Sequence, residues 1–122
     1  AAVLPWNFPL LMMAWKIAPA LAAGNSVIVK PAEQTSLTAL RLAEIAHMAG
    51  VPRGVLQVLP GDGPGVGAPL GLHPGVDMVS FTGSTETGKR FLRYSADRNA
   101  AARTRRWCSR MPRTSIMWPG MW

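Results

Sequence analysis

The sequence of 122 residues predicts an α/β fold, a parallel sheet with flanking helices followed by an irregular basic tail. Three observations carry that reading. Short apolar or β-branched runs at residues 26–30, 55–59 and 78–81 each end in proline, glycine or a hydroxyl residue. Before, between and after them, residues 10–23, 35–49 and 85–96 place apolar side chains at helical spacing. Strand and helix therefore alternate as in βα units, whose right-handed crossovers produce parallel strands with the helices outside.

The first helix, residues 10–23, follows Pro9 and stops at Gly24-Asn25. Nearly all its side chains are apolar, so it is expected to be covered on most of its surface. Lys16 and Pro19 interrupt the run, and a membrane span needs about 20 apolar residues. No basic segment precedes it as in a signal peptide, and a cytoplasmic location is expected. Residues 26–30, Ser-Val-Ile-Val-Lys, form a buried strand closed by Pro31. In residues 35–49, Leu37, Leu40 and Ala43, then Leu42, Ile45 and Ala49, recur at helical intervals. Thr35 or Ser36 is the cap, and Gly50-Val51-Pro52 the terminator.

Residues 55–59 are the next strand. The Gly61-Asp62-Gly63-Pro64-Gly65-Val66-Gly67 loop after it has alternate glycines rather than the GxGxxG spacing of a dinucleotide fingerprint, and no strong helical pattern follows. It reads as a loop beside a cofactor, with a short or irregular segment to Gly75. The third strand, residues 78–81, turns at Thr82-Gly83-Ser84 directly into the helix 85–96, with Ser84 or Thr85 as its N-cap. Backbone N–H groups free at such a helix start form an anion cradle, suited to a phosphate-bearing cofactor. A plain βα turn is the alternative. The carboxyl edge of this partial Rossmann-like sheet gathers residues 30–33, 61–65 and 82–85, where open α/β sheets bind ligands. Lys30 and Glu33 there form a donor and acceptor for ribose hydroxyls, or merely a solvated lysine and an acid at a helix entry.

The formal charge of +7 invites a nucleic-acid reading, but its distribution argues otherwise. Residues 1–97 hold seven basic and six acidic side chains, whereas residues 98–122 hold six arginines and no acid. One cysteine, Cys108, supplies neither a disulfide framework nor a zinc set, and His47 and His73 have no partners at metal-ligand spacing. No metal site is expected.

Pro5-Trp6-Asn7-Phe8-Pro9, Val29-Lys30-Pro31-Ala32-Glu33 and Phe81-Thr82-Gly83-Ser84-Thr85-Glu86-Thr87-Gly88 occur in order and at separations that resemble the aldehyde dehydrogenase superfamily. The resemblance covers residues 3–97 and is nearest the broad-substrate branch that includes the gamma-aminobutyraldehyde and betaine aldehyde enzymes. It implies an internal part of a cofactor-binding domain, and a chain that starts without Met agrees with that expectation. The parent would oxidise an aldehyde to a carboxylic acid with NAD, less readily NADP, as a homo-oligomer with no nucleic-acid or membrane partner. By this resemblance Asn7 stabilises the oxyanion, and Trp6 lines the substrate and nicotinamide region. Lys30 and Glu33 hold the adenosine ribose, Gly83 and Ser84 contact the pyrophosphate, and Gly61 and Pro64 lie near adenine. An uncharged amide suits the oxyanion role because it donates without titrating. A carboxylate at Glu33 disfavours a 2′-phosphate.

The family's general-base glutamate and nucleophilic cysteine follow this region and have no counterpart in the sequence. Cys108, in Arg-Trp-Cys-Ser-Arg, lacks the glycine-glutamine approach of the family nucleophile. The chain itself is therefore expected to be inactive. Residues 98–122 read as a disordered or aberrant tail. Shifted one nucleotide upstream, residues 101–119 can spell a Gly-Gly-Lys start and a Val-Phe-Ala-Asp-Ala continuation that resemble the family after its general base. The single codons of Met111, Met117 and Trp118 constrain that match, which points to a reading-frame error. Two other functions remain open at this stage: a basic protein binding nucleic acid through its Arg-rich arm, and a noncatalytic nucleotide-binding module.

Overall fold

The computed structural model describes residues 1–103 of the chain. Its elements are β1 (Ala2–Val3), α1 (Pro9–Ala22), β2 (Val27–Lys30), α2 (Ser36–Met48), β3 (Leu56–Val58), α3 (Ala68–Leu72), β4 (Ser80–Phe81) and α4 (Thr85–Arg103). A 3₁₀ turn, Glu33–Thr35, leads into α2, and a π turn, Gly63–Gly67, leads into α3. The four strands form one parallel sheet in the order β3-β2-β1-β4. The predicted parallel α/β class is thus what the chain adopts.

The strand missing from the sequence reading is β1. It lies at the centre of the described sheet, with Ala2 opposite both Val29 of β2 and Ser80 of β4. Right-handed crossovers carry the chain outward from β1 to β2 to β3 and place α1 and α2 on one face. The return from β3 to β4 runs the other way and puts the following helices on the opposite face. Alternation within β4 fits this arrangement: Ser80 is bonded to Lys16 of α1, while the Phe81 ring lies 5.2 Å from that of Phe91 on α4.

The core lies under α1. Met13 and Val29 are completely buried, packed with Ala2, Leu4, Ile17, Val27 and Ala39. Each large apolar side chain so buried contributes roughly 1.5–3 kcal/mol. The other side of α1 departs from expectation, because Leu10, Leu11 and Trp15 stay exposed. Helix α1 starts with Pro9 at its first turn, behind Phe8 in the left-handed region (φ 52°). It continues through Pro19, whose carbonyl accepts from the Ala23 N–H at 3.1 Å.

Thr35 occupies the N-cap of α2 without a capping side-chain bond, and Ser36 Oγ instead donates back to the Ala32 carbonyl at 3.2 Å. On the far face, Gly71 of α3 lets α4 approach closely: a Cβ there would lie 2.7 Å from the Tyr94 ring and 3.1 Å from Phe91. Helix α4 runs to Arg103, past the expected end at residue 96 and into the stretch assigned to the tail. Most of the stretch given the frame-error reading, from residue 104 onward and Cys108 included, lies outside the described residues.

Candidate functional site

The carboxyl ends of all four strands open on one edge. In sheet order they carry Gly61 and Pro64 after β3, Lys30 and Glu33 after β2, Trp6 and Asn7 after β1, and Gly83 and Ser84 after β4. The direction of winding reverses between β1 and β4, and open α/β sheets bind ligands outside such a switch point. The residues to which the resemblance gives a cofactor or catalytic role therefore lie on this edge, and the segments holding Asn7 and Ser84 leave neighbouring strands.

Lys30 is the buried polar residue of the described core, 5% exposed. Its stem runs beside the π turn, with Lys30 Cδ within ordinary contact distance, 3.8 Å, of where a Cβ on Gly67 would sit. Its Nζ donates to the Pro31 carbonyl at 3.0 Å and lies 3.8 Å from Glu33 Oε1. The Glu33 carboxylate is more than half exposed. A buried, anchored donor beside an open acceptor fits the vicinal hydroxyls of a ribose, which need one of each.

The loop after β3 is held by Asp62. Its Oδ1 accepts from the Gly65 N–H at 2.6 Å, while its carbonyl accepts from Val66 and Gly67 at 3.1 and 3.2 Å. Gly61 allows the chain to enter this turn at φ 146°, where a Cβ would strike Val66 Cγ2 at 2.4 Å. At the other end of the edge, Ser84 caps α4: its Oγ accepts from the Thr87 N–H at 3.3 Å, and its carbonyl accepts from Gly88 at 2.9 Å. Gly83 precedes it, folded so closely over Phe81 that a Cβ would lie 2.6 Å from the ring. A helix of 19 residues thus points its N-terminus at the edge, as anion binding requires. Trp6 and Phe8 are 64% and 68% exposed, and Asn7 between them is exposed too.

Lys16 is the polar residue at this sheet that sequence reasoning passed over, treating it only as a break in an apolar helix. Its half-buried amine donates to Ser80 Oγ at 2.8 Å, and desolvation lowers its pKa from 10.5. The signal was a lone charge at the position after Trp15, one turn from buried Met13 and beside Ile17. Because the folded chain holds this proton less tightly than the unfolded chain, stability should rise with pH from the lowered pKa up to 10.5. Denaturant midpoints across that alkaline window should climb in the parent chain, and the Lys16→Met variant should lose this part of the slope. Identical profiles would contradict the assignment.

A parallel sheet with a capped helix start at its switch point is the arrangement of Rossmann-like α/β proteins. The family model described as "Aldehyde dehydrogenase family" matches residues 1–105, and the chain belongs to that family of NAD(P)-dependent enzymes. It is 69% identical over 97 residues to the aminoacetaldehyde dehydrogenase of Pseudomonas aeruginosa, covering 80% of this chain and 20% of that protein. It is 54% identical over 99 residues to the NADP/NAD-dependent aldehyde dehydrogenase PuuC of Escherichia coli strain K12, covering 81% and 20%. Among solved structures, an indole-3-acetaldehyde dehydrogenase in complex with NAD+ superposes with a TM-score of 0.77 at 54% identity, covering 79% of this chain and 19% of that one. The chain thus spans about one fifth of the length of these relatives.

Among the described residues no helix is long and apolar enough to cross a membrane, and no group of His, Cys, Asp and Glu could hold a metal ion.

Proposed function

We propose that residues 1–97 are part of the NAD-binding domain of an enzyme that oxidises an aldehyde to a carboxylic acid. The observation that carries this reading is the Lys30–Glu33 pair, a buried amine 3.8 Å from an open carboxylate at the end of a parallel strand. Lys30 donates to the adenosine ribose and Glu33 accepts from it. The amides at the start of α4, with Gly83 and Ser84, face the pyrophosphate, and Gly61 and Pro64 border adenine. Asn7 donates its side-chain amide to the oxyanion formed from the carbonyl, and Trp6 borders the reacting centre. Bound there, the nicotinamide supplies a hydride acceptor. The aldehyde, the cofactor and assembly into a homo-oligomer belong to the complete enzyme, and a cytoplasmic setting agrees with this chemistry.

NAD is the preferred cofactor over NADP. A carboxylate at the ribose edge accepts a bond from the 2′-hydroxyl and repels a phosphate in its place. Calorimetric titration of the chain with each nucleotide tests this. NAD should bind more tightly, and Glu33→Gln should narrow the gap by about tenfold, equivalent to about 1.4 kcal/mol. A ratio unmoved by the substitution would refute the role of Glu33. The relative named as NADP/NAD-dependent makes the comparison informative.

For residues 98–122 the reading-frame account stands as the proposal, and it removes the reason to assign their arginines to nucleic acid. The nucleotide sequence with its flanks tests it: an alternative frame without continuation toward the cysteine and glutamate motifs would refute it.

A further inference from the structure

We infer that Asp62 is a positioning residue for the adenosine end of the nucleotide, acting through the π turn Gly63–Gly67 that its side chain closes. The inference rests on the cofactor reading above. Three of the five residues in that turn are glycine, and glycine loses more conformational freedom on ordering than any other residue. Such a segment needs a tie. Asp62 supplies it from extended backbone, φ −79° and ψ 174°, the conformation of a helix N-cap. Its Oδ1 accepts from the Gly65 N–H at 2.6 Å, and the ring closed by that bond spans Pro64, which has a fixed φ and no N–H of its own. Pro64 is thereby held from both sides.

The fit around the bond is specific. Gly65 has no left-handed φ, yet a Cβ on it would lie 2.6 Å from Asp62 Oδ1. Glycine is needed there to admit the carboxylate, not to relieve the backbone. At the end of the turn, buried Gly67 sits against Lys30, its Cβ position 3.8 Å from Lys30 Cδ, 3.9 Å from Cε and 4.0 Å from the Asp62 carbonyl oxygen. One closed turn thus sets Pro64 at the adenine side and lies along the stem of the buried lysine that serves the ribose. Its flanks are anchored independently, by the pairing of β3 with β2 on one side and by Gly71 of α3, buried against the Phe91 and Tyr94 rings, on the other. Opening the turn therefore misplaces Pro64 without unfolding the sheet. The working feature is an oxygen acceptor rather than a charge, so asparagine can replace the aspartate.

Calorimetric titration of the full chain with AMP tests this, with urea midpoints as the check on folding. Asp62→Ala should bind AMP about tenfold less tightly while its midpoint stays close to that of the parent, and Asp62→Asn should restore the parental affinity. Gly65→Ala, which crowds out the carboxylate, should match Asp62→Ala. The double variant should then lose no more than either single change, because both remove the same bond. AMP bound equally by the parent and Asp62→Ala overturns this inference alone, whereas a parent chain that binds no AMP removes the cofactor reading and this inference together. The inference is overturned as well if Asp62→Asn binds as weakly as Asp62→Ala, or if the losses of the two single variants add. A urea transition abolished in Asp62→Ala would make Asp62 a residue of the fold and overturn it too.

Discussion

Given NAD and a panel of aldehydes, the purified chain should produce no NADH. The family chemistry begins with attack by a thiolate and needs a general base to hydrolyse the thioester. The edge of this sheet supplies no thiol, and the roles proposed there for Trp6, Asn7, Lys30, Glu33, Gly83 and Ser84 are to bind, orient or stabilise. An oxyanion donor such as Asn7 contributes about 3 kcal/mol to a transition state. Loss of a nucleophile lowers turnover by about a millionfold, and positioning alone does not restore it. The one cysteine, Cys108, lies outside the described residues, and its sequence setting differs from that of the family nucleophile. Absorbance at the NADH band is the measurement. NADH formation that disappears in a Cys108→Ser variant would defeat the prediction.

The largest effect on stability is expected at Met13. It is completely buried where α1 meets β1 and β2, so Met13→Ala leaves a cavity in the main cluster and should cost 2–5 kcal/mol, roughly. A domain has only about 5–15 kcal/mol in all. This one also leaves Trp6, Phe8, Leu37 and Met48 largely exposed, so its reserve lies toward the low end. The variant should lose its cooperative urea transition, whereas Met13→Leu, close in volume, should retain it at a cost under about 1.5 kcal/mol. An unchanged midpoint for Met13→Ala would show that the core is organised elsewhere.

The elements readable from sequence are those whose pattern repeats. Leu37, Leu40 and Ala43 recur often enough to mark α2, and Val27, Ile28 and Val29 form a run that only a buried strand explains. Strand β1 has two residues, too few to show any period, and it is defined by the partners on either side. The π turn and α3 were hidden for the opposite reason. Their glycines and prolines suggest irregular chain, while Asp62 organises the backbone through a bond that no spacing rule reveals. The edge itself was legible in part, because strand ends follow from strands. The order of those ends, which sets Asn7 beside Gly83 and Lys30 beside the π turn, required the topology. Lys16 escaped because its meaning depends on Ser80, far away in the chain.

The central place of β1 also bears on the order of assembly. Strands β1, β2 and β3 each pair across one intervening helix, so those contacts close short loops. Strand β4 must return past all of them before the Ser80 amide reaches the Ala1 carbonyl and the Thr82 amide reaches Val3. Loop closure costs more as the loop lengthens, and long-range parallel pairing is intrinsically slow. The β1–β4 seam, which frames the proposed cofactor crevice, is therefore expected to form last and to open first. Amide exchange should show it, with Ser80 and Thr82 exchanging ahead of Leu59, whose N–H is held by Val29 at 2.9 Å. A nucleotide bound across the seam would then act as a clasp, slowing exchange at β4 more than anywhere else in the sheet.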